Sequence, residues 1–259
     1  MVNAIALEAH GLSKSFGGVL AIADVSFSIT EGSLTATIGP NGAGKTTLFN
    51  LLTNLYRPDA GSASCFGVDL AGFTPDAIAA LGLVRTFQTA RVFPGMTVLE
   101  NVLVGAHLRL RARPWQQALW LRNVRREERA IRKKAEALLE IVGLADRGDD
   151  SAVSLPLGAQ KLLDVVRALM ATPRLLLLDE PAAGLNDFET AELARLLLAV
   201  RDAGVTLMVV EHNMSLVMGI ADEVIVLDLG KVIATGSPAV VQANPRVIDA
   251  YLGREAEVV

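Results

Sequence analysis

Cysteine occurs once in 259 residues, at Cys65, so no disulfide can close within the chain. A lone thiol fits a reducing compartment, and its plain reading is a small buried hydrophobe. Long apolar runs are also missing. Apolar residues make up 51% of the chain and mean hydropathy is +0.41, yet no run approaches the roughly 18 residues of a spanning helix. The apolar stretches Leu175 to Leu178, Val205 to Val210 and Val224 to Leu227 are short. That length suits strands of a parallel sheet covered on both faces. Met1 to Glu8 has neither a basic start nor an apolar core, so no signal peptide is expected. No internal repeat, low-complexity tract or sustained heptad breaks the chain into modules.

The net charge of −4 argues against general nucleic-acid binding, but it is unevenly spread. Between His107 and Lys134, ten Lys and Arg face only Glu127 and Glu128, which leaves +8 there and −12 elsewhere. A basic arm on an acidic body fits either an anionic neighbour such as lipid headgroups or a solvated helix face.

What the chain does contain is Gly39-Pro40-Asn41-Gly42-Ala43-Gly44-Lys45-Thr46-Thr47, a complete phosphate-binding loop. Glycines let the backbone turn its N–H groups inward around an anion. Lys45 adds a charge reaching the β- and γ-phosphates, and the Thr46 hydroxyl suits Mg²⁺. Leu34 to Ile38 reads as a strand before the loop, and Thr47 to Leu52 as a helix start after it. A helix N-terminus adds its own N–H groups and dipole to such a site. The Asn-Lys-x-Asp pattern that reads guanine is lacking, which sets a P-loop GTPase aside.

Ile5 to Ile29 alternates as strand with a turn at Gly17-Gly18, and a short strand is expected near Ala63 to Phe66, followed by a polar loop. Gly82 to Gln88 reads as strand into loop. Thr97 to Gly143 is helical in character, interrupted at Arg113-Pro114, and Gly158 to Ala171 is a helix ended by Pro173. Strand and helix then alternate through Leu175 to Leu178, Asp187 to Ala203, Val205 to Val210, Ser215 to Ala221 and Val224 to Leu227. This order predicts a parallel α/β core with a helical insertion at about 95–170.

Leu175 to Leu178 runs into Asp179-Glu180, two acids at the end of a buried strand. Carboxylates are costly to bury unless they bind something, and the carboxyl edge of a parallel strand faces the ligand crevice. Asp179 is thus a candidate for the Mg²⁺ shell and Glu180 for polarising water.

With GPNGAGKTT at 39–47, Gln88 in VRTFQ, LLLLDEP at 175–181 and His212 in VEHN, the chain resembles the ATPase subunit of an ABC transporter over nearly its whole length. The resemblance implies a single ABC ATPase domain over 1–259, with a RecA-like parallel core, an antiparallel β subdomain and a helical insertion. It implies Gln88 as the loop glutamine contacting Mg²⁺ and the membrane subunit, and His212 as the switch histidine at the γ-phosphate. Phe16 matches the aromatic that stacks on adenine, where the family often has Tyr; the alternative is a core aromatic. The signature stretch is Leu155-Pro156-Leu157-Gly158-Ala159-Gln160, where the family usually has LSGGQ. Leu155, Gly158 and Gln160 are the residues that would serve the ATP site of a second subunit. Pro156 stands where the family has serine, and Asn186 where it commonly has aspartate.

VRTFQ, the basic insertion at 107–134, DEPAAGLN at 179–186, VEHNM and the tail at 244–253 resemble most the ATPases of branched-chain amino-acid uptake. That implies ATP and Mg²⁺ as ligands, and a second ATPase, two permeases and an external solute-binding protein as partners. It also implies a place on the cytoplasmic face of the inner membrane. The alternatives are a lipopolysaccharide-type exporter ATPase, which is shorter across 107–134, and a soluble ABC ATPase of DNA repair or translation. Members of the last kind carry a long coiled-coil arm or two ATP-binding halves.

Overall fold

Three five-residue strands, each wholly buried, stand side by side in the larger sheet: β3 (Leu34–Ile38), β7 (Leu175–Asp179) and β8 (Thr206–Val210). Their side chains are apolar or Thr, apart from the terminal Asp179, as strands covered on both faces require. The computed structural model describes residues 4–86, 92–107 and 122–255. A six-stranded sheet runs in the order β10-β9-β3-β8-β7-β6, with β6 at Leu83–Arg85, β9 at Glu223–Asp228 and β10 at Lys231–Gly236. All pairs are parallel except the β9–β10 edge hairpin. A second, antiparallel sheet has the order β2-β1-β4-β5 and begins with the long hairpin of β1 (Ile5–Phe16) and β2 (Val19–Thr30), continued by β4 (Ala60–Cys65) and β5 (Val68–Asp69). The expected RecA-like parallel core with an antiparallel β subdomain is therefore present.

The chain divides into two compact units. One comprises Met1–Gln88, Arg174–Ala183 and Thr190–Val259; the other comprises Thr89–Pro173 and Gly184–Glu189. The first holds both sheets and its largest apolar cluster, which includes Phe49, Leu52, Leu177, Met208 and Val210. The second is helical. Helix α3 (Val98–Val104) starts from a full capping box between Thr97 and Glu100. Helix α4 (Arg122–Ile141) and helix α5 (Leu157–Met170) follow. Val98, Val102, Ala135, Leu139, Leu163 and Val166 form their shared core. Helix α4 stops two residues before Gly143, which takes φ +68°.

Helices at Pro75–Ala80, Pro238–Gln242 and Pro245–Glu255 are not anticipated from apolar periodicity. Each nevertheless begins with proline after Thr74, Ser237 or Asn244, a start signal in which the missing proline N–H is one the first turn leaves unpaired anyway. Val247 and Tyr251 of the last helix join the apolar cluster around Ile38, directly before the glycine-rich loop.

Candidate functional site

The loop from Gly39 to Gly44 leaves the carboxyl end of β3 and runs into helix α1 (Lys45–Leu52). Gly44 sits at φ +102°, and a Cβ there would lie 2.6 Å from the Ala21 carbonyl oxygen, so only glycine fits. Ala43 and Gly39 are buried, Pro40 and Thr47 are half-buried, and Asn41, Gly42 and Thr46 are exposed. Lys45 is only 8% exposed. Its Nζ donates to the Gly39 carbonyl at 2.6 Å and the Pro40 carbonyl at 3.1 Å. Burial pulls the lysine pKa below its usual 10.5, while the charges of Glu180 and Asp179 work against that shift. Lys45, Asp179 and Glu180 thus share one electrostatic neighbourhood.

Sheet register explains how residues so distant in sequence meet. Asp179 pairs with Val210 across β7 and β8, and Thr37 pairs with Val210 across β3 and β8. The three adjacent strands end at one level, and from their carboxyl ends issue the glycine-rich loop, Asp179-Glu180, and Glu211-His212. Glu180 takes φ +47°, a left-handed conformation uncommon for a residue with a side chain. Its N–H donates to the Val210 carbonyl at 2.9 Å, and its carbonyl accepts from Ala183 at 3.1 Å.

Asp179 is 2% exposed. Its Oδ2 accepts from Arg85 Nη2 at 2.7 Å, and Arg85 Nη1 donates to Asn50 Oδ1, also at 2.7 Å. The guanidinium lies over the Phe49 ring, 5.4 Å from its centroid. Asp179 Oδ1 is buried without a hydrogen-bond partner. Such an orphaned acceptor calls for an explanation, and an unbound metal ligand supplies one. No group of three or more His, Cys, Asp or Glu that could hold a metal occurs among the described residues. Mg²⁺ commonly takes one or two protein oxygens, with water and substrate phosphates as its other ligands. Asp179 Oδ1 and the Thr46 hydroxyl are the donors available here.

His212 is exposed. Glu211 beside it is fully buried, and its carboxylate accepts backbone N–H groups from Ala182 at 2.6 Å, His212 at 3.1 Å and Asn213 at 3.3 Å. Asn213 in turn caps the helix at Met214–Ile220 by accepting from Leu216 N–H at 3.1 Å. Neither Arg85 nor Glu211 was singled out from sequence, although both lie inside motifs that were. The signal that could have found them is the one that found Asp179: a charge embedded in an apolar strand or at its end.

Phe16 ends β1, is 42% exposed, and makes an edge-on pair with Tyr56 at 5.2 Å between centroids. It is a surface aromatic and not a core residue. Gln88 lies outside the described residues. In the helical unit, Leu155 is buried and its carbonyl accepts from Gln160 Nε2 at 2.8 Å. Pro156 occupies the cap position of α5 and supplies no side-chain cap. A Cβ on Gly158 would lie 2.4 Å from the Glu189 carboxylate. Glu189 is itself held in a reciprocal pair with Asn186, each accepting the other's backbone N–H at 3.0 Å. Both Gly158 and Asn186 therefore have a local structural reason for their identity.

A phosphate loop opening a helix, with two acids and a histidine level with it on neighbouring parallel strands, defines a P-loop nucleoside-triphosphatase core. The ABC transporter family model matches residues 22–183, and the branched-chain amino acid ATP-binding cassette transporter model matches residues 231–257. The high-affinity branched-chain amino acid transport ATP-binding protein LivG of Salmonella typhimurium is 42% identical over 248 residues, covering 95% of this chain and 97% of that protein. BraF of Pseudomonas aeruginosa, bearing the same description, matches to the same extent. The crystal structure of an ATP-binding cassette of an ABC transporter in its ADP conformation superposes with a TM-score of 0.84 at 32% identity, covering 96% of this chain and 99% of that one. The chain belongs to the ABC transporter ATPase family, and it is an ATP-hydrolysing subunit. No helix among the described residues is long and apolar enough to cross a membrane.

Proposed function

We propose that the chain powers uptake of branched-chain amino acids or related solutes, bound peripherally at the cytoplasmic face of the inner membrane. In this reading two permease subunits span the membrane, a solute-binding protein delivers cargo from outside, and a second ATPase subunit completes a nucleotide-clamped dimer. The solute class is supported by the likeness to LivG and BraF and by the matched segment at 231–257.

The observation that carries the chemistry is the common level of the three strand ends. The loop N–H groups and Lys45 bind the phosphates, and Phe16 stacks on adenine. Asp179 and Thr46, with Gln88, would hold Mg²⁺, which would supply positive charge to offset that of the phosphates. Glu180 accepts a proton from the attacking water, and His212 contacts the γ-phosphate. Leu155, Gly158 and Gln160 complete the ATP site of the opposing subunit, where the N-terminus of α5 faces phosphate.

Glu180→Gln tests the assignment. Losing a positioned base typically costs roughly 10²–10⁴-fold in rate, while Lys45 and the loop still bind ATP. Near-normal steady-state turnover in that variant removes Glu180 from the mechanism. The solute is tested separately: deleting the gene should abolish high-affinity uptake of radiolabelled leucine, isoleucine and valine, and unchanged uptake overturns the solute class.

A further inference from the structure

Glu180 and His212 act on the same phosphate from two separate loops, so something must fix one loop against the other. We infer that Glu211 is a positioning residue that ties these loops together, an inference that rests on the roles given above to Glu180 and His212. Its carboxylate is fully buried and spends both oxygens on backbone donors. Oε1 accepts the Ala182 N–H at 2.6 Å, two residues beyond Glu180. Oε2 accepts the His212 N–H at 3.1 Å and the Asn213 N–H at 3.3 Å. The Glu211 N–H donates to the Thr37 carbonyl at 3.2 Å, on the strand that carries the phosphate loop. One residue is therefore bonded to β3, to the turn that follows β7 and to the loop that follows β8.

The backbone at Glu180 makes such a tie necessary. A left-handed, non-glycine residue persists only where its surroundings over-determine it. Within the turn from Glu180 to Ala183, the Ala183 N–H donates to the Glu180 carbonyl at 3.1 Å. The Ala182–Glu211 bond is charge-assisted, and such bonds are shorter and stronger than neutral ones. It holds the turn in register with the histidine loop. Glutamine cannot replace this arrangement. Both oxygens of Glu211 are acceptors, whereas an amide presents one oxygen and one NH₂. Whichever way Gln is turned, its NH₂ faces either the Ala182 N–H or the His212 and Asn213 N–H groups. The change is nearly isosteric, so it separates the two loops with little loss of packing.

The test uses the full-length chain with Glu211→Gln, Glu211→Asp, Glu180→Gln and His212→Ala. The measurements are kcat per folded molecule, Kd for ADP and the melting midpoint. ADP lacks the γ-phosphate, so its affinity reports the phosphate loop and the adenine contact but not the groups that act at the γ-phosphate. Glu211→Gln should lower kcat roughly 10- to 100-fold, in the range an ångström-scale misplacement produces, with the ADP Kd unchanged. Glu211→Asp keeps both acceptor oxygens on a shorter stem and should recover part of the loss. Wild-type kcat in Glu211→Gln, with only a lower melting midpoint, overturns the inference and leaves Glu180 and His212 in place. Wild-type turnover in Glu180→Gln or His212→Ala overturns the underlying reading instead, and this inference with it. If Glu211→Gln does not accumulate folded, Glu211→Asp decides alone: depressed kcat with unchanged ADP Kd supports the tie, and wild-type kcat sinks it.

Discussion

Removing either member of the Arg85–Asp179 pair leaves a charge buried without its partner. Arg85→Gln should therefore lower the unfolding free energy by about 3–5 kcal/mol, read from a denaturant midpoint at constant slope. A loss under 1 kcal/mol would mean that water or a rotamer change relieves Asp179. Lys45 makes the opposite kind of prediction. Burial lowers its folded pKa below the 10.5 of the free side chain, so the folded state binds the proton less tightly than the unfolded state. Stability contributed by this group must rise as pH increases from the lowered folded value to 10.5. The difference in unfolding free energy between wild type and Lys45→Met should shift with pH in that direction, while nucleotide binding is lost at every pH. Cys65, whose thiol burial pushes up to about 12, should ignore a thiol reagent at pH 8 until denaturant is added.

At the scale of elements, the start of α5 depends on a side chain from the start of the next helix, Asp187–Asp202. Gly158→Ala should push Glu189 off the Asn186 N–H and cost about 1 kcal/mol, the usual worth of a cap. In a Glu189→Ala background the same change should cost nothing, because the obstruction is gone. Additive losses in that double-mutant cycle would show that Gly158 answers to something else. Helix α4 buries Ala135 and Leu139 on one side and carries bases on the other. Not all of these are free for a membrane: Lys134 Nζ bonds the carbonyl of Leu169 at 3.1 Å and Thr172 Oγ1 at 2.6 Å, capping the end of α5, and Arg132 pairs with Glu136 at 2.9 Å. Replacing the exposed Arg126, Arg129 and Lys133 by Gln should weaken co-sedimentation with anionic vesicles, by about 1 kcal/mol per charge at low salt. Binding that neither falls nor responds to salt would reduce the arm to a solvated face.

At the scale of the whole molecule, the feature of consequence is that one chain carries a complete phosphate-binding loop and a depleted signature. Pro156 gives α5 neither a hydroxyl nor a cap. Pro156→Ser restores a donor to phosphate, and one charge-assisted hydrogen bond, at roughly 1.5–3 kcal/mol, is about tenfold or more in rate. In a dimer of identical chains the basal ATPase rate should rise accordingly. With a different partner subunit, the gain should appear only at the site that this chain's α5 completes. No gain at either site would mean that the backbone N–H groups of α5 suffice.

The sequence by itself determined the parts whose chemistry is local. A glycine-rich loop between a buried strand and a helix, an apolar strand ending in two acids, and a histidine after another apolar strand can each be read in a window of ten residues. The parallel core followed from their alternation with helices, and even the overlooked helices after Thr74, Ser237 and Asn244 announce themselves through proline. Tertiary structure alone decided which charges meet. Arg85 and Asp179 are 94 residues apart, and Ala182 and Glu211 are 29 apart. Such pairs arise from strand order and register, and no local pattern encodes them. Gly158 reads from sequence as a signature glycine for a second subunit's ATP site, and only the fold shows that Glu189, 31 positions away, fills the space beside it. Phe16 has the composition of a core residue and stands on the surface beside Tyr56. Burial is a property of what the rest of the chain places around a residue, and it becomes known only when the chain has folded.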